Sequence, residues 1–210
     1  KVNRVKKFCG YPSGDSEILY LLLGIFGLGK IGRAVAEKAK AFGMNIVAYT
    51  HRIHGDEPEY VKLVGLDEML KMSDVVSMHC PLTPETEGIV NEEFIDKMKD
   101  GAYFINTSRG TVVNEKALAD ALNSGKLGGA GLDVYEEESE FFYEDLSESI
   151  LKDDVLSRLI MMPNVLITSH QAFLTKEALR RIAEITLGNI RAFADGKTLE
   201  NEIAAKKKSK

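Results

Sequence analysis

The sequence predicts an α/β protein built on a doubly wound parallel sheet, and three features lead there. Strand-like apolar runs alternate with helix-like segments from about residue 20 onward. The runs are continuous rather than alternating, as in strands covered on both faces. The first run ends in a glycine-rich turn that opens an amphipathic helix. The bulk properties agree. The 210 residues are 44% hydrophobic and 28% charged, the balance of a chain that buries a substantial core.

The elements follow in order. Leu21 to Phe26 is an unbroken apolar run, hence a buried strand. Ile31 to Phe42, IGRAVAEKAKAF, places Ile31, Val35, Ala39 and Phe42 at helical spacing, and Gly43 can end that helix. Asn45 to Tyr49 is the second strand. Leu66 to Met72 suits a short helix, and DVVSMH, Asp74 to His79, a strand. Asn91 opens NEEFIDKMK as an N-cap with acids in the first turn. Ala102 to Ile105 is a strand, and Asn114 to Asn123 a helix with a second Asn cap. Ala130 to Val134 and Asn164 to Thr168 are further strands, and Thr175 to Phe193 is a long final helix. Glu136 to Asp154, acidic and aromatic, is a long connection of the kind that is often functional. The expected organisation is an irregular segment over 1–17, a dinucleotide-binding domain over 18–173, and a helix with a basic tail over 174–210.

Composition also excludes classes. The net charge of −5 favours neither nucleic acid nor an anionic membrane. Ile18 to Phe26, the most apolar stretch, is too short to span a bilayer and lacks a signal-peptide cleavage pattern. The two cysteines, Cys9 and Cys80, have no metal or redox spacing, which suggests free thiols in a reducing cytoplasm. No metal is expected.

Gly27-Leu28-Gly29-Lys30-Ile31-Gly32 is G-x-G-x-x-G, following a strand and opening a helix. In a Rossmann-type sheet the first glycine permits the tight turn, the second admits a pyrophosphate, and the third lets helix pack on strand. The helix N-terminus offers N–H groups and a positive dipole end to the phosphates. The plainer alternative is a glycine turn that serves packing alone. A Walker-type loop is excluded, because no G-K-[ST] follows.

GLGKIG is then followed in order by HCPLTPET (His79 to Thr86), INTSRG (Ile105 to Gly110), GLDVYEEE (Gly131 to Glu138) and SHQAF (Ser169 to Phe173). With these motifs, the chain from Gly24 to about Asn201 resembles the D-2-hydroxyacid dehydrogenases. EEESEFFYED with NVLITSHQAFLT is most similar to their D-lactate dehydrogenase branch. The resemblance implies NAD(P)H-dependent reduction of a small 2-keto acid to a D-2-hydroxy acid. It implies that Arg109 clamps the substrate carboxylate and polarises the keto oxygen, that His170 protonates that oxygen, and that Glu138 orients His170 and raises its pKa. The chemistry of the residue types suits those roles. Hydride addition leaves negative charge on oxygen, which a fixed cation and a proton donor both stabilise. A guanidinium binds a carboxylate through paired hydrogen bonds, and a histidine beside a carboxylate is protonated near neutrality. Taken singly, each has a plain alternative: a surface arginine, one acid in an acidic loop, a capping histidine.

The resemblance further implies that Lys30 and Ile31 lie over the pyrophosphate. Cys80 and Pro81, with Thr86 nearby, would line the adenosine side, Thr107 and Arg109 would reach the nicotinamide half, and Asp133 would hold the carboxamide. Cys80 can equally be a small buried hydrophobe. Relatives commonly dimerise through this domain, so the resemblance also implies a homodimer. The family's substrate domain draws on a long N-terminal section. The residues before the first strand here do not resemble it, so that domain is expected to be largely missing, in a truncated or rebuilt chain or in a natural short form.

The tip of the second strand departs from the usual pattern. A ribose-binding acid is expected roughly 20 residues beyond the glycine turn, where the chain reads Thr50-His51-Arg52, with no acid before Asp56. Thr50 cannot repel a 2′-phosphate, Arg52 could pair with one, and His51 could add a donor. The residues therefore lean slightly toward NADP over NAD. Alternatively, Arg52 stacks on adenine or faces solvent. Beside the enzymatic reading stand a non-catalytic, redox-sensing dinucleotide module and a binder of S-adenosylmethionine or another nucleotide. The last leaves Arg109 and His170 unexplained.

Overall fold

The computed structural model describes residues 20–53, 55–136 and 154–203. It falls into two compact units, residues 1–169 and 170–210. Among the described residues, the first unit carries β1 (Leu22–Phe26), α1 (Lys30–Ala41), β2 (Asn45–Tyr49), β3 (Val61–Leu63), α2 (Leu66–Met72), β4 (Val75–Met78), α3 (Glu92–Asp96), β5 (Ala102–Asn106), α4 (Glu115–Ser124), β6 (Leu127–Leu132), α5 (Asp154–Met161) and β7 (Val165–Ile167). The second unit carries α6 (Lys176–Ala194).

The strands form one seven-stranded sheet in the order β3-β2-β1-β4-β5-β6-β7. Every pair is parallel. The doubly wound parallel sheet expected from the alternating segments is thus present. Chain order reverses beside β1, which has β2 on one side and β4 on the other. In such sheets the crevice at that reversal, outside the carboxyl ends of the strands, is where ligands bind.

Period-two geometry explains the unbroken apolar runs. Leu23 and Ile25 of β1, with Ile46 and Ala48 of β2, join Ala36 and Ala39 of α1 in one core. Phe26 and Val47, from the alternate positions, join Met69 and Leu70 of α2 in a larger core that extends to Phe104, Leu118, Leu127 and Leu159. Both faces are covered, so both sets of side chains are apolar. The caps also follow the sequence. The side chains of Asn91 and Asn114 accept from Phe94 N and Ala117 N at 3.0 Å each, satisfying helix-end donors.

Four elements differ from expectation, among them α5, where no helix was expected. β3 has no apolar run; Lys62 between Val61 and Leu63 is exposed, as suits a short edge strand on β2. β6 begins at Leu127 rather than Ala130, because Gly128 and Gly129 belong to the strand, and a Cβ on either would run into Gly101 O or Asn164 O. The helix expected from Asn91 is only Glu92–Asp96. In the second unit, Thr175 caps α6 by accepting from Ala178 N at 3.1 Å, and no residue of α6 is buried.

Candidate functional site

The glycine turn follows β1. Gly27 has φ +100, which side chains rarely adopt, and donates its N–H to Tyr49 O at 2.8 Å. A Cβ there would lie 2.9 Å from Cys80 N and from His79 C and O. The turn therefore presses against the end of β4. Gly29 is the N-cap of α1 and brings no side-chain cap to its N–H groups. A Cβ on Gly29 would meet nothing within 4 Å, whereas one on Gly32 would collide with Gly27 O. Gly32 is buried, and Lys30 and Ile31 are exposed on the first turn. One glycine thus keeps a space open, and another keeps helix and turn in contact.

At the tip of β2, the Tyr49 ring meets Phe26 edge-on at 5.1 Å. The Thr50 hydroxyl donates to Arg52 O at 3.0 Å, closing a small turn that carries exposed His51 and Arg52. Arg33 of α1 reaches this loop: its Nη1 donates to Asp56 O and its Nη2 to Asp56 Oδ1, both at 2.7 Å.

After β4, His79 N donates to Phe26 O at 2.8 Å, and the His79 Nε2 lies 2.9 Å from Ser77 Oγ. Burial pushes the His79 pKa down. Cys80 is buried, which raises its thiol pKa, and its carbonyl accepts a short hydrogen bond from the Ser108 hydroxyl. The Thr86 hydroxyl donates to Pro81 O at 2.7 Å and accepts from Thr83 N at 2.8 Å. It thereby folds the Pro81 to Thr86 turn.

After β5, the buried Asn106 works in both directions. Its Nδ2 donates to Arg109 O at 2.9 Å, and its Oδ1 accepts from Ser108 N at 3.0 Å. This holds the turn that exposes Thr107 and Arg109, whose Nη1 donates to Ser108 O at 2.7 Å. Gly110 packs so tightly on the Tyr135 backbone that no Cβ fits. Asp133, after β6, accepts from the Thr168 hydroxyl at 2.5 Å. Glu115, a buried carboxylate on the first turn of α4, accepts from Glu136 N at 2.6 Å.

Each candidate residue described in the first unit therefore lies at or just after a strand's carboxyl end. In a parallel sheet these ends share one edge. Glu138 lies outside the described residues. His170 opens the second unit, three residues beyond β7, and is exposed with φ +50. Among the described residues it is the one non-glycine with positive φ. Sequence reasoning missed Asn106, Ser108, Glu115 and the Arg33 to Asp56 link. Ser108, Glu115 and Arg33 act through partners distant in the chain, which no local spacing signals, whereas Asn106 folds its own turn through Ser108 and Arg109. Among the described residues no cluster of three or more His, Cys, Asp or Glu could hold a metal ion, and no helix is long and apolar enough to cross a membrane.

Comparison with known proteins bears on this edge of the sheet. The family profile described as "D-isomer specific 2-hydroxyacid dehydrogenase, NAD binding domain" matches residues 15–172. A 2-hydroxyacid dehydrogenase A of Aspergillus oryzae is 49% identical over 86% of this chain and 52% of its own length. The D-lactate dehydrogenase of Escherichia coli K12 is 43% identical over 86% of this chain and 55% of its own. The solved structure of D-lactate dehydrogenase from Aquifex aeolicus complexed with NAD and lactic acid superposes with a TM-score of 0.80 at 40% identity, covering 93% of this chain and 60% of that one. The chain spans about half the length of the curated relatives it matches. The slight lean toward NADP finds no support in these descriptions, which speak of NAD.

Proposed function

The chain belongs to the D-isomer specific 2-hydroxyacid dehydrogenases and carries their NAD-binding domain, and on that premise we propose that it serves the NAD(H)-dependent interconversion of a small 2-keto acid and its D-2-hydroxy acid. The observation that carries this reading is the glycine turn. Gly29 keeps open space over an α1 N-terminus that has no side-chain cap, a cradle suited to the pyrophosphate. With its pyrophosphate held there, the dinucleotide would supply the hydride from its nicotinamide end.

The remaining chemistry belongs to the chain's own residues. Arg109 binds the substrate carboxylate and stabilises the negative charge that grows on the keto oxygen. Its exposed guanidinium projects from a turn held by Asn106, which supports a positioned cation. His170 gives the proton to that oxygen. Its φ of +50 is the kind of backbone departure that gathers at functional positions. Glu138 supplies the carboxylate that orients the imidazole. Asp133 accepts from the carboxamide, and Thr107, Cys80, Pro81 and Thr86 border the bound dinucleotide. NAD(H) is the cofactor of this reading. With Thr50 where an acid would exclude a 2′-phosphate, NADPH is accepted as the weaker ligand. The chain works as a homodimer.

The test is oxidation of NADH, followed by its absorbance, with pyruvate, phenylpyruvate or 2-ketoisocaproate, and chiral separation of the product. Turnover to the D-isomer, lost in His170→Ala while NADH still binds, is the expected result. Tight NADH binding without oxidation by any of the three would favour the non-catalytic module instead.

A further inference from the structure

The loop that joins β2 to β3 carries Thr50, His51 and Arg52, yet it has little regular structure of its own. Among the described residues, Thr50 Oγ1 donates to Arg52 O at 3.0 Å, Gly55 N to Glu57 Oε2 at 2.9 Å and Val61 N to Pro58 O at 2.9 Å. None of these ties it to the glycine turn. Arg33 does, from the position directly after the third glycine. Its Nε donates to Leu28 O inside that turn at 3.3 Å. Its Nη1 and Nη2 donate to the carbonyl and the carboxylate of Asp56 at 2.7 Å each. Its Nη2 also lies 3.7 Å from Glu57 Oε1. One planar guanidinium thus spans the glycine turn and the far side of the β2 loop.

We infer that Arg33 and Asp56 form a clasp that sets how the adenosine end of the dinucleotide is recognised, with Arg33 a positioning residue rather than a direct ligand of the phosphates. The inference rests on the dinucleotide reading above and adds to it a device that determines specificity.

Arg33 is a cation close to where a pyrophosphate binds, so a direct electrostatic role is the obvious first reading. Each of its three nitrogens, however, already donates to an acceptor of the protein. The Arg33 side chain is 26% exposed and that of Asp56 75%, so the link lies open to water on the Asp56 side. Exposed ion pairs generally contribute little, but several aligned hydrogen bonds from one guanidinium are the exception. The charge of Arg33 is therefore matched by Asp56, and its rigid fork fixes the loop. The loop in turn decides where Thr50, His51 and Arg52 stand. A mobile loop has to be ordered on binding, at a cost to affinity, whereas a clasped loop is ordered beforehand. The clasp favours whichever ligand fits the loop as held, so it sharpens discrimination at the 2′-position as well as strengthening binding.

The two roles of Arg33 predict opposite signs at Asp56, which makes them separable. Removing the Asp56 carboxylate frees the guanidinium. A cation that attracts phosphate then binds more tightly, and a clasp that holds a loop binds more weakly. The experiment titrates NADH and NADPH into the wild-type chain and into Arg33→Leu, Arg33→Lys, Asp56→Ala and the double variant Arg33→Leu/Asp56→Ala, with melting temperatures recorded for each. The expected result is a loss of about threefold to tenfold in NADH affinity for both Arg33→Leu and Asp56→Ala. The double variant should be no weaker than either single one, Arg33→Lys should fall in between, and the NADH to NADPH affinity ratio should move toward unity. Tighter NADH binding by Asp56→Ala, or unchanged binding by both single variants, overturns the clasp while leaving the dinucleotide reading intact. A folded wild-type chain that binds neither cofactor overturns both.

Discussion

Replacing Gly29 with alanine separates cofactor binding from folding, and Gly32 supplies the control. Gly29 has φ −80 and ψ −163, a conformation alanine adopts, and an added Cβ meets nothing within 4 Å. Such a change stabilises by about 0.4–1 kcal/mol, because the unfolded chain loses freedom. For a protein of this size that raises Tm by about 1–4 °C. The same methyl occupies the space over the first turn of α1. A pyrophosphate pushed outward there loses one charge-assisted hydrogen bond, about 1.5–3 kcal/mol, or roughly 10- to 150-fold in Kd. At Gly32 the methyl is driven into Gly27 O and comes within 3.2 Å of Ile25 Cγ2. Overpacking of that kind costs about 1–3 kcal/mol and lowers Tm by about 2–12 °C. The chain has no tryptophan, so NADH fluorescence reports binding without protein background, and scanning calorimetry gives Tm. A Gly29→Ala variant that binds NADH within twofold of wild type would refute the placement of the pyrophosphate. Gly32→Ala with an unchanged Tm would refute the packing argument.

Two further outcomes are expected. Burial holds the His79 pKa down, so the unfolded chain takes up a proton on this ring at higher pH than the folded chain does. Stability is therefore fully retained above the ordinary imidazole range, near about 6.5, and falls as pH drops through it toward the depressed value. Melts of wild type and His79→Gln between pH 8 and pH 5 check this: the wild type should lose more stability, and parallel curves would count against it. Glu115→Ala removes the acceptor of Glu136 N–H. Losing a buried partner costs about 1–3 kcal/mol, or about 2–12 °C in Tm, and Glu115→Gln should recover part of it; an unchanged melt in Glu115→Ala would show that water replaces the carboxylate.

The sequence foretold the elements whose signal is local. β1, β2, β4 and β5 follow their apolar runs to within a residue or two, and Asn91 and Asn114 cap as their side chains predict. β3 escaped because a three-residue edge strand with an exposed lysine carries no periodic signal. α5 escaped because DVLSRLIM follows an acidic tract that draws attention to the loop, although Leu156 and Leu159 are buried. At the candidate site, the glycine turn was legible because its chemistry is set by adjacent residues. The supporting contacts were not: Arg33 meets Asp56 23 positions on, and Glu115 meets Glu136 21 positions on. Such pairs exist only once the sheet has brought its strand ends to one edge.

The central claim is that this edge holds a nicotinamide dinucleotide, and a titration of the chain with NADH tests it most directly. Saturable binding at one NADH per chain is expected, with NAD and ADP competing for the same place. A chain that melts cooperatively yet shows no saturable NADH binding would contradict it.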